Sequence, residues 1–150
     1  MLKQIVPLAV LAALVGCQAG AEFNPQFGKS DREAQQAQQT QLAAFAASAE
    51  YPRETQASDN LRAAAVINRE NDTIRVYNFS DRPLRDAHVW VNGAYVHKVD
   101  NIPPNGSVTI RRANFYDSTG RSLASQSTSA NRVQVQWGDE LYNLQGPVYE

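Results

Sequence analysis

The side chains best equipped for chemistry in this 150-residue chain crowd into one short segment. Both histidines, His88 and His97, flank the dipeptide Asn92-Gly93 together with Trp90 and Tyr95. Asn-Gly supplies the two positive φ angles of a type I′ turn, so the segment is predicted to be a β-hairpin with a two-residue tip. Such a tip fixes the register. Val91 then faces Ala94, Trp90 faces Tyr95, Val89 faces Val96 and His88 faces His97. Strand alternation places Val89, Val91, Ala94 and Val96 on one face, and His88, Trp90, Tyr95 and His97 on the other. Directly opposed Cβ atoms lie about 4.5–5.5 Å apart, close enough for two imidazoles to clasp an ion. Imidazole suits zinc, copper or nickel. Asp86 is expected on the same face and is the third candidate ligand. Two histidines alone make a weak centre, since zinc usually takes three or four protein ligands. A second reading of the same face is recognition of a protein or a glycan, because Trp and Tyr are enriched where binding energy concentrates. A third is structural. A Trp–Tyr cross-strand pair stabilises a hairpin by about 0.2–1 kcal/mol, and the face then lies under the other sheet or under a helix.

Nothing else in the sequence converges on a reaction. There is no Gly-x-Ser-x-Gly elbow and no glycine-rich phosphate loop, and the carboxylates are scattered, so catalysis is not expected. Asp117-Ser118-Thr119-Gly120 hints at a calcium loop but lacks the repeated carboxylates of one. Lys and Arg number 14 against 15 Asp and Glu, a formal net charge of −1. That balance lacks the basic face of a nucleic-acid binder. One cysteine excludes an intramolecular disulfide and a Cys-based zinc finger.

The hairpin sits in a series of strand signals separated by turns, which spans residues 61–150. Ala63–Ile67, Thr73–Phe79, Ala87–Val91, Ala94–Val99, Ser107–Arg111, Arg132–Trp137 and Glu140–Leu144 give six or seven short strands. Asn68–Asp72, Ser80–Pro83, Pro103–Gly106 and Gly138-Asp139 turn between them. Thr73–Phe79 alternates, with Ile74 and Val76 on one face and Arg75 and Tyr77 on the other. No helix intervenes, so the fold class is mainly β, a small two-sheet antiparallel sandwich. In strand rhythm and in its Pro-rich turn the region resembles the immunoglobulin- or fibronectin-like modules of bacterial surface proteins. The cysteine pair of antibody domains is missing. Residues 113–131, rich in Ser and Thr, are expected to form a mobile loop that Phe115 and Leu123 pin to the core.

Residues 17–60 read as a tether containing one helix. Ser30 and Glu33 form a capping box, and the Ala- and Gln-rich stretch that follows favours a helix over about 31–50. Tyr51-Pro52 ends it. Leu42, Phe45, Ala46 and Ala49 share one face. The helix is either a solvated spacer that lifts the domain off a membrane or an element that docks through Leu42 and Phe45.

Met1-Leu2-Lys3 is followed by an apolar run, Ile5–Val15, too short to span a bilayer, which takes about 20 residues. It has the length of a signal-peptide core. Leu14-Val15-Gly16-Cys17 then resembles the lipobox of bacterial lipoprotein precursors at all four positions. That resemblance implies a signal peptide of residues 1–16, cleavage before Cys17, a covalent lipid on Cys17 and a place in the cell envelope. Gln18, not Asp, follows the cysteine, which in this class favours the outer membrane. Each buried methylene of an acyl chain adds about 0.8 kcal/mol, so several chains on one cysteine hold firmly. The expected function is that of a membrane-anchored structural or interaction module, facing the periplasm or the surface, whose partner is an envelope protein or a glycan. The alternative is a periplasmic lipoprotein that binds copper or zinc through His88 and His97.

Overall fold

The structure, a computed structural model, describes residues 27–149. The expected signal peptide 1–16, the expected lipid site Cys17 and the first part of the expected tether, up to residue 26, lie outside the described residues. Helix α1 runs Phe27–Ser48 and is followed by eight strands: β1 Ala63–Asn68, β2 Thr73–Asn78, β3 Leu84–Val91, β4 Tyr95–Ile102, β5 Gly106–Arg111, β6 Val133–Trp137, β7 Glu140–Asn143 and β8 Gln145–Tyr149. They form two four-stranded sheets, ordered β5-β2-β1-β8 and β4-β3-β6-β7. All neighbours are antiparallel except β1 and β8, which run parallel. The mainly β sandwich expected from the strand rhythm is what the chain forms.

Alternation explains which side chains fill the space between the sheets. Ala63, Ala65 and Ile67 of β1 and Ile74 and Val76 of β2 point inward, against Val89 and Val91 of β3 and Val133 and Val135 of β6. Phe115 and Leu123 close the same core and are fully buried. The polar Asn78 is also buried there. Its amide donates to the carbonyls of Arg82, Ile102 and Pro103, and its carbonyl oxygen accepts from Ser80. A buried amide is tolerable only when paired in this way, and the pairing ties the crossover after β2 to the end of β4.

Three expectations need correction. First, an eighth strand, β8, completes one sheet; Gly146 and Pro147 hide it, since both residues are depleted in strands. Second, α1 begins four residues earlier than expected, so Ser30 lies in its first turn instead of capping it. Its last turn closes where the N–H of Ala49 meets the carbonyl of Phe45 at 2.9 Å, just ahead of Tyr51-Pro52. Third, residues 113–131 are not wholly a loop: Phe115–Asp117, Leu123 and Ala130 are buried, and the stretches between them are largely exposed. Tyr116 exchanges backbone hydrogen bonds with Val96 (2.9 and 3.3 Å), which covers the free edge of β4. Two short 3-10 turns, Arg112–Asn114 and Leu123–Ser125, complete the segment. The outer edge of β7 is covered in the same manner by Ser58, which pairs with Leu141 and Asn143. Covered edges cannot recruit stray strands.

Candidate functional site

The Asn92-Gly93 tip forms as the sequence demands, with φ values of 55° and 67°. The N–H of Ala94 bonds the carbonyl of Val91 at 3.1 Å, closing the turn. The register nevertheless differs from the expected one. Val91 pairs with Tyr95, Trp90 with Val96, Val89 with His97 and His88 with Lys98. Ala94 is an extra residue in the tip. A slip of one residue moves a whole set of side chains to the other face. Tyr95 and His97 therefore lie on the sandwich side of the sheet, and Val96 lies on the helix side beside Trp90. Contacts outside the hairpin hold this register. The Asn92 side chain donates to the carbonyl of Ser129 (2.7 Å) and accepts from the N–H groups of Asn131 and Arg132, and Val96 is clamped by Tyr116.

The two histidines are consequently on opposite faces and cannot share an ion in this register. His97 donates its Nδ1–H to the carbonyl of Asn114 at 3.1 Å, with its ring 5.6 Å from Phe115. His88 meets the edge of Phe45 on α1 at 5.0 Å. Asp86, at φ 50°, pairs with Lys98 at 3.1 Å. Among the described residues no three His, Cys, Asp or Glu side chains gather where an ion would sit. Burial pushes both imidazoles below their ordinary value of 6.5. The proposed recognition face is dispersed too, since Trp90 is 2% exposed and Tyr95 8%, each in a different cluster.

What covers Trp90 is the docked end of α1. Ala46, 1% exposed, clusters with Trp90, Val96, Tyr116 and Leu141, flanked by Leu42, Phe45, Ala49 and Tyr51. Of the two readings of the helix, solvated spacer and docking through Leu42 and Phe45, docking is the one seen for its C-terminal end. Polar groups complete the contact. Trp90 Nε1 donates to Gln136 (3.0 Å), and the Tyr51 ring meets the Trp90 ring edge-on at 5.3 Å. Tyr51 donates to Gln134 (2.7 Å), Gln134 to Asn143 (2.8 Å) and Asn143 to Asp59 (3.0 Å). This relay pins residues 51–59 to β6 and β7. Residue types gave no sign of it, because glutamine and asparagine on a strand ordinarily signal a solvated face.

Between the docked end of α1, residues 50–55, the hairpin tip and the turn Asp117–Arg121 lies a groove of about 870 Å³. Ala46, Ala49, Pro52 and Trp90 supply its apolar surface; Glu50, Arg53, Glu54 and Arg121 supply charge of both signs. Gly93 lets the wall close up, because a Cβ there would stand 2.9 Å from Arg132 and 3.3 Å from the Tyr51 ring. Asp117 shapes the opposite wall. Its Oδ1 accepts from the N–H and hydroxyl of Thr119 and the N–H of Arg121, and Oδ2 pairs with the Arg121 guanidinium at 3.0 Å. Burial opposes ionisation of Asp117, but these bonds outweigh it and hold its pKa below the usual carboxylate value. Its carboxylate is thus spent on turn geometry and does not resemble a calcium ligand in waiting. The groove's size falls within the range of small-ligand and peptide clefts, where a mixed lining selects by hydrogen bonds and apolar contact together. No family model, curated protein or solved structure matches the chain.

Proposed function

We propose that this chain is a lipid-anchored binding module of a bacterial envelope, held through Cys17, which uses the groove beside the docked end of α1 to contact an envelope protein or a glycan. The observation that carries the reading is the division of α1 into two halves. Every residue from Ser30 to Gln41 is exposed, whereas Leu42–Ala49 packs on the sheet. At 1.5 Å per residue the exposed half extends about 18 Å. An exposed half rich in Ala and Gln, continuous with a pinned half, suits a stalk, with the lipobox upstream of it and the groove at its far end. Stalk and groove share Ala46 and Ala49, so the tether also builds part of the binding wall. The metal alternative is not carried forward, because the register separates His88 from His97.

Two measurements test the reading. Cys17→Ser should move the protein from the membrane fraction to the soluble fraction; continued sedimentation with membranes overturns the lipid anchor. A photo-crosslinking side chain at Glu54, on the groove, should trap a discrete envelope component in intact cells, while one at Thr109, on the far sheet, should not. Equal yields from both positions, or none from Glu54, remove the groove from the function.

A further inference from the structure

The two sheets end in four edge strands, β4, β7, β8 and β5. Three of these edges are closed to further strands. Tyr116 pairs with the edge of β4, and Ser58 bonds residues of β7. β8 carries Pro147, which has no N–H to offer, and its register with β1 shifts between Ala64 and Val66. Prolines and irregularities of this kind are common means of closing an edge. The outer edge of β5 has neither. Gly106–Arg111 contains no proline and pairs with β2 from end to end without a register shift. Among the described residues no strand or isolated bridge meets its other side.

The direction of the backbone groups on that edge follows from one hydrogen bond. The N–H of Arg112 bonds the carbonyl of Asp72 at 2.9 Å. Hydrogen-bonded pairs alternate along an antiparallel ladder, so Ile110 and Val108 are the next residues to bond β2. The N–H and C=O groups of Ser107, Thr109 and Arg111 then point away from the sheet. Their side chains are exposed, Ile110 is buried, and Val108 is half-buried at the rim of the core. An edge of this kind accepts an extended strand, and one strand that fits it is β5 itself. About a two-fold axis through Thr109, an antiparallel copy sets Thr109 opposite Thr109, Ser107 opposite Arg111 and Val108 opposite Ile110. Every outward N–H then meets an outward carbonyl. The single charge, Arg111, faces a serine, so no like charges oppose each other. Thr–Thr is a favourable cross-strand pair, and the Val108–Ile110 contacts cover the apolar rim. The axis runs along the sheet normal, so both copies carry α1 on the same side of the joined sheet, as two chains tethered to one membrane require.

We propose that two copies of the chain associate through their β5 strands into one continuous sheet, an isologous pair in which each strand is the other's partner. The paired strands are short, below the standard interface of about 1,200–2,000 Å², so the association is that of copies concentrated on one surface. In that respect it rests on the lipid anchor; it is independent of the groove beside α1.

A photo-crosslinking side chain at Ser107, in the full chain in intact cells, should give a product of twice the chain's mass, joined at the Arg111 end of a second β5. A probe at Thr109 should likewise trap only a second copy, distinct by mass from any product trapped at Glu54. Thr109 is exposed, so Thr109→Lys keeps the fold but sets two lysines face to face, and the doubled product should fall by at least about tenfold. It should return when the Thr109→Lys copy that carries the probe is expressed together with a Thr109→Glu copy. Thr109→Pro is a second break, since it removes an N–H that the ladder to β2 does not use. Absence of the doubled product, a yield that neither Thr109→Lys nor Thr109→Pro lowers, or no return with Thr109→Glu overturns the pairing. A product with a different protein in place of the second copy overturns it too. Membrane fractionation of the same cells reports separately whether the anchor holds.

Discussion

The two sheets share one core but differ in what lies outside them. The outer face of β4-β3-β6-β7 is covered by the C-terminal half of α1 and by residues 51–59, whereas among the described residues no such segment covers that of β5-β2-β1-β8. The covered sheet shows it in its strands. Val89, Trp90 and Val91 are buried in succession, and so are Val133, Gln134 and Val135. On the open sheet β2 alternates strictly, with Ile74, Val76 and Asn78 inward and Arg75 and Tyr77 outward. There Tyr77 and Phe79 stack in parallel at 5.8 Å with Arg75 beside Tyr77, and Phe79 remains 46% exposed. A strand covered on both faces loses the alternation that one solvated face imposes. The difference locates the helix: it docks where the outer face carries Trp90, Val96 and Leu141, not where it carries Arg75 and Thr109.

The largest test of this contrast removes the main side chain under the helix. Trp90→Ala should cost about 3–5 kcal/mol in a denaturant melt, as expected for a fully buried aromatic. It should also raise amide exchange throughout residues 42–49. Tyr77→Ala, the matched truncation on the open sheet, should cost only about 0.5–1.5 kcal/mol, the worth of its stacking on Phe79. Similar losses at both positions would mean that the open face is covered in solution by something else.

Ala46→Asp separates helix docking from sandwich stability. A carboxylate at this buried position replaces apolar contact with Trp90, Val96, Tyr116 and Leu141 and costs about 1–3 kcal/mol even after partial relaxation. The helix can escape that cost by undocking. Protease cleavage between residues 40 and 60 should therefore accelerate, while the core amides of β1, β2 and β6 keep their protection. Collapse of all protection together would make the helix part of the sandwich's cooperative unit. A loss of similar size is expected on the open sheet from Gly146→Ala. Gly146 sits at φ 100°, and an added Cβ would stand 2.8 Å from the carbonyl of Ala65. Strain of that kind costs about 1–3 kcal/mol. It should loosen β8 while α1 stays docked, readable as faster exchange confined to residues 145–149.

The same contrast explains how much was legible in the sequence. β2 announced itself, with the correct inward face, because one side meets water. The hairpin tip was equally legible, since only Asn92 and Gly93 tolerate the required φ. The register beyond it was not. The turn determines only its own four residues, and both faces of β3 are apolar, so no hydrophobic pattern distinguishes the register with His88 opposite His97 from the register with His88 opposite Lys98. The decision rests with Asn92, whose partners are some 40 positions downstream, and with Tyr116 on the edge of β4. The candidate site suffered most. A one-residue slip dissolved the His88–His97 pair, while the groove is assembled from three separated segments that no spacing rule connects.

The smallest expected effect uses the two histidines as reporters, one on each side of the covered sheet. Burial lowers the pKa of His97; the Asn114 carbonyl and Asp100 favour its protonated form but do not compensate. Burial also lowers that of His88, against the opposing hydrogen bond with Gln136, with Lys98 adding to the depression and Asp86 resisting it. In both cases the unfolded chain binds a proton more readily than the folded one. Stability is therefore greatest above the unfolded value of 6.5 and declines as pH falls below it, until the folded imidazoles themselves titrate and the loss levels off. The two losses belong to different contacts. Protonating His88 opposes its edge contact with Phe45, so His88→Asn should flatten the pH dependence of exchange in residues 42–49. Protonating His97 charges a ring packed on Phe115, so His97→Asn should flatten that of residues 113–123. Each variant acting on its own segment would show that the two faces of β3 and β4 respond separately. If either variant flattened both, the helix and the 113–131 segment would be coupled through the hairpin, and the groove between them would change shape as one unit.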